Sequence, residues 1–84
     1  MNEAYLTFRS VTSAMEALRL LNRSGIRANL RRTPEAIRSR GCGYSLGVAV
    51  HRAEEAMQVL RSREAFFEKC FYRERDGSWR EVAQ

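Results

Sequence analysis

Two periods of hydrophobic spacing take turns along the chain. Residues 5–9, Tyr5-Leu6-Thr7-Phe8-Arg9, alternate with a period of two, with Leu6 and Phe8 on one side, which predicts a strand. Ser10-Val11-Thr12-Ser13 then offers helix caps. Ser13 with Glu16 three residues on fits a capping box, and Ser10 could cap a slightly earlier start. Ala14, Ala17, Leu18 and Leu21 follow at helical spacing and line one face. Gly25 is the natural stop, because a left-handed residue costs glycine least. The period then returns to two: Ile26, Ala28 and Leu30 face one way, and Arg27, Asn29 and Arg31 the other. Pro34, which has no N–H to donate to a ladder, ends this second strand.

Residues 35–43 read as a loop with one helical turn around Glu35-Ala36-Ile37, closed by Gly41-Cys42-Gly43. A third strand is expected over about residues 44–51, with Leu46, Val48 and Val50 on one side and Ser45, Gly47 and Ala49 on the other. Ala53, Ala56, Met57 and Leu60 repeat the spacing of the first helix, and Phe67 to Glu74 reads as a fourth strand. Asp76-Gly77 is a tight-turn pair, so Ser78 to Val82 is expected to fold back as a short extra strand.

The order β-α-β-β-α-β, with two halves that echo each other, predicts an α+β chain of the ferredoxin-like split βαβ kind. Two helices would cover one face of a four-stranded antiparallel sheet in the order 4-1-3-2. Residues 1–84 would form a single domain, with 76–84 a hairpin extension or tail. The uncovered face would carry Tyr5, Thr7, Arg9, Arg27, Asn29 and Arg31, which makes it either a solvated surface or a contact surface.

Composition narrows the class. At 44% hydrophobic residues the chain can fold, and with 84 residues it buries a modest core. The opening Met1-Asn2-Glu3-Ala4 lacks a basic n-region and an apolar stretch, so no signal peptide is expected, and no apolar run approaches the ~20 residues of a membrane span. Two cysteines cannot staple a secreted scaffold, so a cytoplasmic, reducing location is expected, with no membrane partner. Charge is uneven: 14 of the 15 basic residues are Arg, Lys69 being the exception. Residues 27–40 hold five Arg and one Glu, so that short segment carries +4 of the net +5.

Cys42 is the first candidate for chemistry. Gly41 and Gly43 leave its sulfur uncrowded, and Arg38 and Arg40 would favour thiolate over thiol. A thiolate is the form that attacks or carries sulfur. The alternative, a small buried hydrophobe at a strand start, stays open. Cys70, inside an apolar strand, reads as structural. A bridge to Cys42 looks wrong, because strand 1 separates strands 3 and 4 by about 10 Å in all, against the roughly 7 Å a disulfide allows. With no C-x-x-C and with His51 alone at a strand end, no metal site is expected, nor any cofactor. No P-loop or G-x-G-x-x-G is present.

Nucleic acid is a candidate partner, given a basic patch on this fold. Stacking of bases would need aromatic residues on the central strands. Tyr5 is so placed, but strand 3 offers Ser45, Gly47 and Ala49. Phe66, Phe67, Phe71, Tyr72 and Trp79 read as core or hairpin cover, or else as an interface for a second copy.

Tyr5-Leu6-Thr7-Phe8, Ser13-Ala14, Ala17-Leu18, Leu21 and Gly25-Ile26 resemble the start of a small bacterial family, the selenium/sulfur (Se/S) carrier protein-like family. The likeness continues through Pro34 to Cys42-Gly43-Tyr44-Ser45-Leu46-Gly47-Val48 and covers about residues 5–72. It implies a carrier that holds sulfur or selenium on Cys42 as a persulfide or selenyl-sulfide, with a donor enzyme and an acceptor protein as partners. It gives Cys70 no role. Because no general acid or base is evident, a carrier is expected rather than an enzyme. The competing reading is a basic binding module, with Arg9, Arg27, Arg31 and Arg32 contacting RNA or an acidic protein and Cys42 serving only as packing.

Overall fold

The computed structural model describes residues 3–38 and 43–82. Its elements run β1 (Glu3–Thr7), α1 (Val11–Arg23), β2 (Ala28–Arg32), β3 (Tyr44–Ala49), α2 (Ala53–Ser62), β4 (Cys70–Arg73) and β5 (Trp79–Val82). Short 3-10 turns at Glu35–Ile37 and Val50–Arg52 flank β3. All strand pairs are antiparallel, in the order β2-β3-β1-β4-β5. The class is therefore α+β, with two helices. The sheet has five strands rather than four, the fifth being the hairpin strand expected after Asp76-Gly77. The expected order 4-1-3-2 lies within it, extended at one edge by the hairpin strand β5.

Local chemistry explains the ends of the elements. The Ser10 side chain accepts from the Ser13 N–H at 3.1 Å and caps α1, so Ser10, and not the Ser13–Glu16 box, starts the helix. Past Arg23 the chain turns through Gly25 at φ 80°, and Ile26 N–H bonds back to Leu21 O at 2.9 Å. That turn uses up Ile26 and Arg27, so β2 begins at Ala28 and not at Ile26. β3 stops at Ala49, two residues earlier than the alternation suggests, because Val50–Arg52 wind into the entry of α2. β4 is shorter than expected. Glu64 sits at φ 57° and Ala65 N–H returns to Leu60 O at 2.9 Å; Thr7 then exchanges backbone bonds with Glu68 N–H at 2.7 Å and Lys69 O at 2.9 Å, and the regular ladder begins at Cys70. The Asp76-Gly77 turn forms, with Gly77 at φ 91° and the Asp76 carboxylate accepting from Ser78 N–H at 2.9 Å.

The core lies between the sheet and both helices. Ala4, Leu6, Leu46, Val48 and Cys70 point from the strands, meeting Ala14, Ala17 and Leu21 of α1 and Ala53, Ala56, Met57 and Leu60 of α2. Four alanines on these helix faces let the backbones lie close to the sheet and to each other. Phe8 and Phe67 close the core from the chain just outside β1 and β4. For Phe66 the core reading is corrected, since it is 69% exposed. Leu30, expected on the core face, is 37% exposed because β2 is an edge strand.

This contrast can be measured. Leu46 is fully buried in a central strand, so Leu46→Ala should cost about 3 kcal/mol in urea unfolding, as truncations in a packed core do. Leu30→Ala should cost less than about 1 kcal/mol. Equal losses would mean that β2 packs as deeply as β3.

Candidate functional site

The ends of four strands meet on one side of the sheet: the ends of β1 and β2, and the starts of β3 and β4. Register shows this directly, since Thr7 pairs with Ser45 and Arg32 with Tyr44, while Leu6 pairs with Cys70. Cys42, Arg40 and Gly41 lie outside the described residues, but Gly43, one peptide bond from Cys42, is held firmly. Its carbonyl accepts from Thr33 N–H at 2.8 Å. The Thr33 and Ser45 hydroxyls, both buried, bond to each other at 2.6 Å. Pro34 begins the 3-10 turn, Ile37 N–H returns to Pro34 O at 3.1 Å, and the Ile37 side chain is buried. The described part of the segment between β2 and β3 is thus tied down at Thr33, Ile37 and Gly43.

Arg38 leaves this turn with its N–H on Glu35 O at 3.2 Å. Its guanidinium comes to lie against Gly43: a Cβ placed there would be 3.7 Å from both Cζ and Nη2 of Arg38. The Arg38 guanidinium thus lies near Gly43, the residue next to Cys42, at ordinary van der Waals distance from the place a side chain there would occupy. Such a charge favours an anion nearby.

The other arginines do not form one patch. Arg9 lies beyond β1, off the sheet face on which it was expected, and reaches Glu68 at 3.7 Å. Arg27, exposed, precedes β2 at the end far from Gly43. Arg31 grips Glu3 with two donors at 3.0 and 3.2 Å. This pair spans β3 over Gly47, where a Cβ would come within 2.7 Å of a Glu3 carboxylate oxygen. The Arg31 charge is thereby offset. Arg32, at the Gly43 end of β2, stands 6.0 Å from the Tyr44 ring.

The chain matches the model of a family described as "Putative Se/S carrier protein-like" over residues 3–72. It belongs to that family. The family span contains Arg38, Cys42, Gly43 and everything through most of β4, while β5 lies beyond it. No curated protein and no solved structure matches the chain.

Cys70 is a free, buried thiol. Burial pushes its pKa up from 9.0 to about 11, against the pull of the Arg61 charge. A thiol held neutral in this way is a poor nucleophile. His51 sits exposed in the 3-10 turn before α2. Among the described residues no group of three or more His, Cys, Asp or Glu could hold a metal ion. Nor is any helix among them long and apolar enough to cross a membrane.

Sequence reasoning missed a second cluster, on the sheet face away from the helices. Tyr5 pairs in register with Phe71, Arg73 pairs with Trp79, and the Tyr5 and Trp79 rings meet edge-on at 5.1 Å. The alternation Phe71, Arg73 and Trp79 about the Asp76-Gly77 turn was the available signal.

The Cys70 thiol makes stability depend on pH with a definite sign. In the unfolded chain it ionises near 9, and in the fold near 11. Between these values the unfolded state has lost a proton that the fold keeps, so stability falls as pH rises from 9 to 11. The contribution is at most about 1.4 kcal/mol per pH unit. Urea unfolding across this range should fall more steeply for the wild type than for Cys70→Ala. Parallel curves would mean that the fold does not hold Cys70 neutral.

Proposed function

We propose that Cys42 is a carrier thiol, loaded with sulfur or selenium by a donor enzyme and unloaded by an acceptor protein. Membership of the Se/S carrier protein-like family supports this reading. The observation that carries it is the Arg38 guanidinium lying against Gly43, one residue from the thiol. A guanidinium there lowers the cost of a thiolate and of the persulfide anion that loading would produce.

The chemistry needs no oxidant. The Cys42 thiolate attacks the terminal sulfur of a persulfide on the donor. A new S–S bond forms on Cys42, the old S–S bond breaks, and the donor cysteine leaves as its thiolate. Attack by an acceptor nucleophile on the same terminal sulfur returns Cys42 to its starting state. Gly41 and Gly43 leave room for both partners, and Arg40 adds positive charge. The buried Thr33–Ser45 pair stiffens the stem from which Cys42 is presented. Arg32, exposed at the same end, is the arginine of the wider set best placed to meet an acidic partner. Selenium would ride as a selenyl-sulfide on the same atom.

Intact mass after incubation with a cysteine desulfurase and cysteine tests the proposal, with selenocysteine in place of cysteine run beside it, so that the donor enzyme holds selenium as a selenyl-sulfide and passes it to Cys42 by the same displacement. Wild type and Cys70→Ser should each gain one chalcogen atom, removed by dithiothreitol, and Cys42→Ser should gain none. Loading that persists in Cys42→Ser, or that is absent from wild type with both donors, would overturn it.

A further inference from the structure

We propose that the uncovered face of β1, β4 and β5 binds single-stranded nucleic acid through Tyr5, Phe71, Trp79 and Arg73. Strand parity puts these side chains on one face. Leu6 and Cys70 are buried against the helices, so their neighbours Tyr5 and Phe71 point the other way. Trp79 reaches back across β4 to touch Tyr5, and the Arg73 guanidinium lies 5.3 Å from the Trp79 ring centre. All three rings are partly exposed. Tyr5 and Arg73 also line, with Glu3 and Arg31, a shallow cavity of about 270 Å³.

The mix of groups selects the ligand. Aromatic rings set among guanidinium planes suit unpaired bases, which stack on them, and phosphates, which take the guanidinium donors. Among the described residues Arg73 makes no ion pair, so its donors are available. Arg31 spends two of its five donors on Glu3 and keeps the rest. A second copy of the chain fits this face less well. The rings are interrupted by the Glu3–Arg31 and Lys69–Glu81 pairs, and each copy carries +5, which repels another copy and attracts a polyanion.

Trp79 is the only tryptophan, so its emission reports directly on this face. Titrating the full chain with a short oligouridylate at low salt should quench it, with affinity falling steeply as salt rises. Fluorescence anisotropy of labelled oligouridylate gives a second readout. Arg73→Gln, a change at an exposed position, should keep the fold by circular dichroism and weaken binding about tenfold. It should leave loading of Cys42 unchanged, and Cys42→Ser should leave oligonucleotide binding unchanged, so the two proposals fail separately. Oligodeoxythymidylate in place of oligouridylate distinguishes DNA from RNA as the preferred strand. The proposal is overturned by no quenching with either strand, by equal binding of a duplex, or by Arg73→Gln binding like wild type. Quenching that follows protein concentration alone, with a dimer on sedimentation, would assign the face to a second copy instead.

Discussion

β3 is paired on both sides, with β1 and with β2, and its register against them governs the rest of the molecule. A slip of one residue would turn Leu46 and Val48 out of the core and bring Ser45 and Gly47 into it. Three features that look separate depend on this one alignment. The core needs Leu46 opposite Leu6. The Glu3–Arg31 pair needs Gly47 between its two strands, since any side chain there would collide with it. The Thr33–Ser45 hydroxyl pair, and with it the bond from Thr33 to Gly43, needs Ser45 opposite Arg31. The hydrophobic pattern that buries the core thus also decides where the residue next to Cys42 is anchored.

Much of the fold was legible because it follows from local spacing. Ala14, Ala17 and Leu21, then Ala53, Ala56, Met57 and Leu60, mark the buried faces of both helices, and the turns at Gly25 and Asp76-Gly77 sit where their chemistry requires. What escaped depends on contacts distant in sequence. Phe67 reads as the start of a strand, yet after the turn at Glu64 it enters the core from a coil, with its neighbour Phe66 left outside. Ser45 alternates like a surface residue, but its partner Thr33 arrives from just beyond the end of β2 and it is buried. Arg31 looks like a free cation until Glu3 is brought to it across Gly47. At the site, the Cys42-Gly43 pair and its neighbouring arginines could be read as a candidate. Which arginine meets Gly43 could not, because that depends on the 3-10 turn that aims Arg38.

The two cysteines show how environment divides one chemistry. Cys70 is surrounded by apolar side chains, and its raised pKa keeps it protonated and inert near neutrality. Cys42 follows an arginine-rich segment and adjoins a glycine against which a guanidinium rests. A chalcogen carrier benefits from that contrast, since cargo delivered to a second reactive thiol would be lost from the transfer route. The uncovered sheet face, with its rings and Arg73, stands apart from the Gly43 end. The two proposals can therefore be tested separately by single substitutions.

The carrier reading rests on an acidic thiol at Cys42, and the rate of iodoacetamide alkylation at this residue across pH, followed by peptide mass, measures that directly. The half-maximal rate should fall well below the ordinary thiol value of about 8.5, and Arg38→Gln should move it upward. A midpoint at or above that value, unmoved by Arg38→Gln, would contradict a thiolate held ready by Arg38.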